Sequence, residues 1–152
     1  EHIGYNARLD TLQAAIILAK FKYIDEFNER RRKIAEIYNQ ELSDIKDLIL
    51  PITNHQSPIT DFYHVYHQYT VRTPKREALQ KYLKEKGVAG MVYYPFPLHK
   101  MRVFGNARSK SDGNLTNAEQ ASQNVLSLPI EPLQMKETTD YIIDCVRKFF
   151  IA

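Results

Sequence analysis

The sequence predicts an α+β fold, with long N-terminal helices followed by a small domain holding a short, mainly antiparallel sheet and packed helices. Three observations predict it. Residues 9–42 place apolar side chains at helical spacing over an unusually long run. Residues 63–72 change to an alternation of period two. Beyond them, helix-like and strand-like stretches interleave with short connections, the pattern of a layered α+β domain. The division that follows is a helical segment over residues 1–45 and a small α/β domain over residues 46–152.

Composition bounds the function classes. At 152 residues the chain is long enough for one real core, burying roughly 70% of its unfolded surface. A hydrophobic content of 43% with mixed charge points to a globular protein and away from a disordered one. The net charge of +3 comes from interspersed signs and calls for no nucleic acid. No apolar run approaches the ~18 residues that would cross a bilayer. One cysteine, Cys145, excludes an internal disulfide and fits a reducing cytoplasm. The chain opens on Glu1 and enters a helix approach at once, as the middle of a longer polypeptide would.

In the helical run, Leu9, Leu12 and Ile16 share a stripe, Ile17, Phe21, Ile24 and Phe27 continue a neighbouring one, and Ile34, Tyr38 and Leu42 extend it. The change of stripe around residues 20–23 predicts two helices or one bent helix. Ala14, Ala15 and Ala19 would let the first approach another helix closely. Asp10 and Thr11 are candidate caps for its first turn. The run Glu29-Arg30-Arg31-Arg32-Lys33 reads as a solvated helix face, since acidic residues flank it and no aromatics interleave. Arg31 lies on the apolar stripe and is expected to lay its stem along the core.

Leu48-Ile49-Leu50-Pro51 predicts a short edge strand. In the alternating run, Tyr63, Val65, His67, Tyr69 and Val71 are expected on one face, with His67 in or beside the core. Thr73-Pro74 predicts a helix start and Gly87 its left-handed stop. Met91-Val92-Tyr93-Tyr94 predicts a strand ended by Pro95. Residues 102–113 read as a loop. Thr116-x-x-Glu119 predicts a capping box on a helix to about Leu126. Leu128-Pro129-Ile130 is expected to be extended. Tyr141, Ile142, Cys145, Val146 and Phe149 would form the buried face of a closing helix.

Two stretches could carry chemistry. Gly4-Tyr5-Asn6-Ala7-Arg8-Leu9-Asp10 brings an amide and a guanidinium to a helix entrance, an arrangement suited to a phosphate or carboxylate. The same residues also suit an ordinary capped helix with a solvated arginine. Tyr93-Tyr94-Pro95-Phe96-Pro97-Leu98-His99 is a stiff aromatic strip, because the prolines hold Tyr94 and Phe96 extended. It would line a pocket for a sugar ring, or pack its aromatics on the core. The five histidines suggest no metal site: His64 and His67 would point to opposite faces of a strand, and no His-Glu-x-x-His or cysteine pair is present. Cys145 falls on an apolar helix face, where an inert thiol is expected.

Gly-x-Asn-x-Arg-Leu-Asp-x-Leu-Gln-Ala-Ala, from Gly4 to Ala15, resembles a stretch of the DegT/DnrJ/EryC1/StrS sugar aminotransferases, fold-type-I enzymes that use pyridoxal phosphate (PLP). Tyr66-His67-Gln68-Tyr69, the Tyr93–His99 strip and Leu128-Pro129-Ile130 follow in the order that family would place them. The resemblance covers nearly the whole chain but only the C-terminal part of such an enzyme. Residues 1–45 would then bridge from a large domain that precedes them.

The resemblance implies that Asn6 bonds the PLP phosphate of the neighbouring subunit and that Arg8 faces an anionic part of the substrate. Tyr94 and His99, with Tyr93 to a lesser degree, would contact substrate. It implies a homodimer, a nucleotide-sugar substrate (UDP- or dTDP-linked) and an amino-acid donor such as glutamate. A product for cell-surface polysaccharide or glycan synthesis is also implied. The family's aldimine lysine and the acidic partner of its pyridinium lie upstream of the Gly-x-Asn-x-Arg stretch. No catalytic residue is therefore assigned in this chain, and the chain alone is expected to be inactive. A PLP- or PMP-dependent sugar dehydratase of the same family, and a non-catalytic dimerisation or interaction module, remain the alternatives.

Overall fold

The computed structural model describes residues 9–51, 64–101 and 115–151. Two helices open it, α1 (Thr11–Phe21) and α2 (Ile24–Leu42), separated by a turn at Lys22 and Tyr23. The break falls where the apolar stripe changes side. Asp10 caps α1, its carboxylate accepting from the Gln13 amide at 2.8 Å. No residue of α1 is buried, and Leu12, Leu18 and Phe21 are all more than 60% exposed. In contrast, α2 buries Ile34, Ala35, Tyr38 and Leu42 along one stripe and leaves its first half in solvent. There the basic run is satisfied within the helix by the pairs Arg30–Glu26 and Arg32–Glu29. Arg31 is half-buried and donates to Asn28, as its position on the stripe predicts.

The sheet is small and antiparallel throughout. Strand β1 (Tyr69–Arg72) pairs with β2 (Val125–Leu128), with Thr70 opposite Ser127. Ile49 bridges the free edge of β1 at Arg72, and Met91 bridges the free edge of β2 at Ser127. Tyr69 and Val71 point into the core while Thr70 and Arg72 point away. All four residues of β2 are buried.

Helix α3 (Arg76–Glu85) buries Leu79 and Leu83 and ends at Gly87, whose φ of +75° is the left-handed stop expected there. Helix α4 (Thr116–Asn124) runs directly into β2, and α5 (Lys136–Ile151) closes the fold against α2 and α3. The core gathers Tyr38 and Leu42 from α2, Tyr69 and Val71 from β1, Leu79 and Leu83 from α3, Leu126 from β2, and Ile142 and Val146 from α5. Cys145 is buried among them, as predicted.

Several expectations are corrected. The period-two run does not persist upstream of Tyr69. Tyr66 has a φ of 47° and bends follow at His67 and Gln68, so the phase shifts. Tyr66 is therefore buried, whereas Val65 and His67 are exposed, and His67 is not a core residue. Tyr63 lies outside the described residues. Thr73 and Pro74 stand in a turn before α3 and not at its cap. The Thr73 hydroxyl accepts from the Lys75 amide at 3.2 Å, and α3 starts at Arg76. The strand expected over residues 91–94 shrinks to the Met91 bridge, since Pro95 and Pro97 bring no donors to a ladder.

Helix α4 ends at Asn124, two residues sooner than its pattern suggests, because Val125 and Leu126 are taken by the ladder with β1. Thr116 is already helical and the cap position is Leu115, and the Glu119 carboxylate is engaged by His99 and Lys100. Tyr141 is half exposed, its hydroxyl donating to the Lys86 carbonyl, and Ile143 takes its expected place in the core.

Candidate functional site

The Met91 bridge fixes where the aromatic strip leaves the sheet. Met91 and Ser127 exchange both backbone hydrogen bonds, at 3.0 and 2.7 Å. From there the chain reaches a single 3₁₀ turn, Leu98–Lys100. Pro97 enters that turn extended, and its carbonyl accepts from the Lys100 amide at 2.9 Å. The prolines keep this connection out of both helix and sheet, so its side chains are presented and not packed. Tyr94 is 69% and Phe96 65% exposed. That degree of exposure removes the reading in which the strip merely packs aromatics on the core.

Helix α4 supplies the opposite wall. Its small residues Ala118, Ala121 and Ser122 leave an open cleft of about 390 Å³ between themselves and the strip, floored by Val125. Tyr93, Tyr94, Phe96, Leu98 and His99 line the other side. Tyr93 and Tyr94 meet edge to face, with centroids 5.9 Å apart. Tyr93 also lines a smaller cavity of about 210 Å³ with His67, Gln68, Met91 and Ser127, so it is the partition between the two.

Glu119 ties the two walls together. One carboxylate oxygen lies 3.0 Å from His99 Nε2 and the other accepts from Lys100 Nζ at 2.8 Å. The hydrogen bond from Lys100, with that from His99, holds the Glu119 carboxyl below the usual carboxylate range. A helix residue thus anchors the turn that carries the strip's last member.

The structure brings Tyr93, Tyr94 and His99 to one cleft. Asn6 and Arg8 lie outside the described residues. Sequence reasoning missed Glu119, which it assigned to a capping box. The spacing that suggested a box is also the spacing of a first-turn carboxylate facing sideways, and only tertiary contact separates the two. Ala118, Ala121 and Ser122 were a legible signal, because small residues on one helix face leave room for a neighbour.

Helices packed around a small antiparallel ribbon, with an aromatic cleft between the strip and α4, make this an α+β domain of the kind present in sugar aminotransferases. The chain belongs to the DegT/DnrJ/EryC1/StrS aminotransferase family, which it matches over residues 1–147. It is 43% identical to a pleiotropic regulatory protein of Geobacillus stearothermophilus over 97% of this chain and 39% of that protein. It is 36% identical to a dTDP-3-amino-3,6-dideoxy-alpha-D-galactopyranose transaminase of Aneurinibacillus thermoaerophilus, over 96% of this chain and 38% of that one. Its fold superposes on the crystal structure of S. venezuelae DesV in complex with a ketimine intermediate, with a TM-score of 0.86 at 32% identity. That match covers 100% of this chain and 39% of DesV. The chain thus spans about two-fifths of the length of these relatives.

Among the described residues the cleft does not make a seat for pyridoxal phosphate. Its walls are aromatic rings, aliphatic side chains, one proline and one serine, no lysine or arginine lines it, and its one basic side chain, His99, is already held by Glu119. The cleft suits the uncharged face of a ligand and not a phosphate.

Proposed function

We propose that this chain is the C-terminal part of a PLP-dependent aminotransferase that aminates a keto carbon of a nucleotide-linked sugar, UDP- or dTDP-bound. The product would feed cell-surface polysaccharide or glycan synthesis, and the amino group would come from glutamate. PLP would be held by the remainder of the enzyme, where it supplies the amino-group carrier, and this chain would shape the sugar's side of the site. Tyr94 and Phe96 offer flat apolar faces, Tyr93 divides the cleft from its neighbour, and His99 offers a polar atom at the rim. In this reading Asn6 and Arg8 serve the site of a second subunit in a homodimer, Asn6 at the cofactor phosphate and Arg8 at an anionic part of the substrate.

The single observation that carries the reading is the exposure of Tyr94 and Phe96 opposite a wall of small α4 residues, with His99 fixed between them. Stacked aromatic faces bordered by a few oriented polar groups are what a sugar ring requires. The transaminase activities named for relatives at similar identity support the choice of reaction. The bare faces of α1 suit a helix that bridges residues 1–45 to a large domain of the parent. No described helix is long and apolar enough to cross a membrane.

The test is an amino-transfer assay on the enzyme containing this chain, with glutamate and UDP- or dTDP-linked keto sugars. Tyr94→Ala and His99→Ala should each lower kcat/KM by about tenfold or more while the cofactor spectrum stays unchanged, as loss of substrate contacts predicts. A cofactor-loaded enzyme that turns over no nucleotide-linked keto sugar would overturn the proposal.

A further inference from the structure

We propose that Glu119 is a positioning residue that fixes the tautomer of His99, leaving the Nδ1 of the neutral ring as a hydrogen-bond acceptor for a ligand hydroxyl or amine at the cleft. The inference deepens the reading of the cleft as a sugar-receiving surface and rests on it for the identity of the ligand.

The geometry supplies the argument. Glu119 Oε1 lies 3.0 Å from His99 Nε2, and Oε2 is occupied by Lys100 Nζ at 2.8 Å. Lys100 and His99 together favour the ionised carboxylate, so Glu119 carries no proton at neutral pH. An ionised carboxylate only accepts hydrogen bonds. The atom facing it must therefore be Nε2–H, and a neutral imidazole has one ring proton to place. Nδ1 is left with a lone pair, and among the described residues it has no partner. Because Lys100 occupies the second oxygen, the carboxylate cannot swing away without losing both contacts.

His99 lines the same cleft as Tyr94 and Phe96. Nδ1 of this cleft-lining residue, left without a proton, accepts from a hydroxyl or an amine and rejects a ligand position that carries only a carbonyl oxygen. The aromatic faces grip the ring of a sugar without regard to its substituents, and His99, set by Glu119, reads one of them. Such discrimination is strong when the polar atom is left unpaired by the wrong ligand.

Long-range proton–nitrogen NMR of the histidine side chains in the intact enzyme at neutral pH tests this directly. The expected result is His99 with its proton on Nε2, and a mixture of tautomers in Glu119→Gln, whose amide can donate as well as accept. The affinity of dTDP-glucose, measured by calorimetry, should fall by about tenfold in the Glu119→Gln variant, the loss expected for one oriented hydrogen bond. A wild-type His99 protonated on Nδ1 overturns the proposal without recourse to any variant, as does an unchanged tautomer in Glu119→Gln. Equal dTDP-glucose affinity in the two forms also overturns it. If dTDP-glucose binds neither form while the Nε2–H tautomer is confirmed and released by the substitution, the sugar reading fails and the role of Glu119 in setting His99 stands.

Discussion

The Tyr38 hydroxyl donates to the Pro129 carbonyl at 2.8 Å, joining the C-terminal part of α2 to the residue that follows β2 across 91 residues of sequence. The same oxygen accepts from Gln134 Nε2 at 3.2 Å, and Gln134 also reaches the Thr139 hydroxyl at 2.9 Å. Through this network the helix that leads in from the N-terminal segment is fixed to the strand whose Val125 floors the cleft.

Tyr38→Phe should therefore destabilise the fold by about 1 kcal/mol, the net worth of the hydrogen bond lost at a half-buried carbonyl. Urea unfolding would read the change as a lower midpoint at constant slope. A midpoint equal to wild type would show that the hydroxyl contributes nothing to the tie.

Alkaline pH should act on the same residue. Burial pushes the Tyr38 phenol up to about 12 and raises that of Tyr69 as well. A raised folded value means that the stabilisation is complete below the unfolded value near 10 and is lost as pH climbs through the folded one. Stability should fall between pH 10 and 12 by roughly 1.4 kcal/mol per unit for each of the two phenols. Chemical denaturation at a series of pH values should show Tyr38→Phe with about half the wild-type slope in that window.

The Tyr66 hydroxyl is buried with no hydrogen-bond partner among the described residues. Its ring is packed at a centroid distance of 6.2 Å from Tyr69 and 4.5 Å from His64. Tyr66→Phe keeps those contacts and removes the desolvated oxygen. It should stabilise the chain by about 1 kcal/mol, seen as a rise in Tm. A fall in Tm would mean that the oxygen is satisfied.

These core tyrosines also indicate how much of the fold was legible in the sequence. Tyr38 and Leu42 were readable because helical periodicity is local and survives tertiary packing. The turn between α1 and α2 was readable for the same reason. Tyr66 was not, because its own positive φ and the bends at His67 and Gln68 break the alternation just before Tyr69, and nothing in a period-two pattern announces such a residue. At the site, Tyr94 and His99 were legible from the proline-flanked strip. Glu119 was hidden by a local motif with the same spacing. Its partner His99 is 20 residues away, and no local rule reaches that far.

Gly87 offers a control that separates backbone from packing. A Cβ placed on it would meet nothing within 4 Å, so any cost of a side chain there comes from its φ of +75° alone. Gly87→Ala should cost about 1 kcal/mol, and Gly87→Asn less, since asparagine tolerates the left-handed region. Thermal unfolding of the pair would check the order, and equal losses would contradict it.

The cleft between the Tyr94–Phe96 strip and α4 is tested most directly by saturation-transfer NMR on the intact enzyme with dTDP-glucose, irradiating the aromatic protons of the protein. The prediction is strong transfer to the protons of the glucose ring, sharply reduced in Tyr94→Ala while transfer to the thymine is retained. Transfer confined to the thymine in the wild type, or a glucose signal indifferent to Tyr94→Ala, would contradict a sugar-receiving role for this surface.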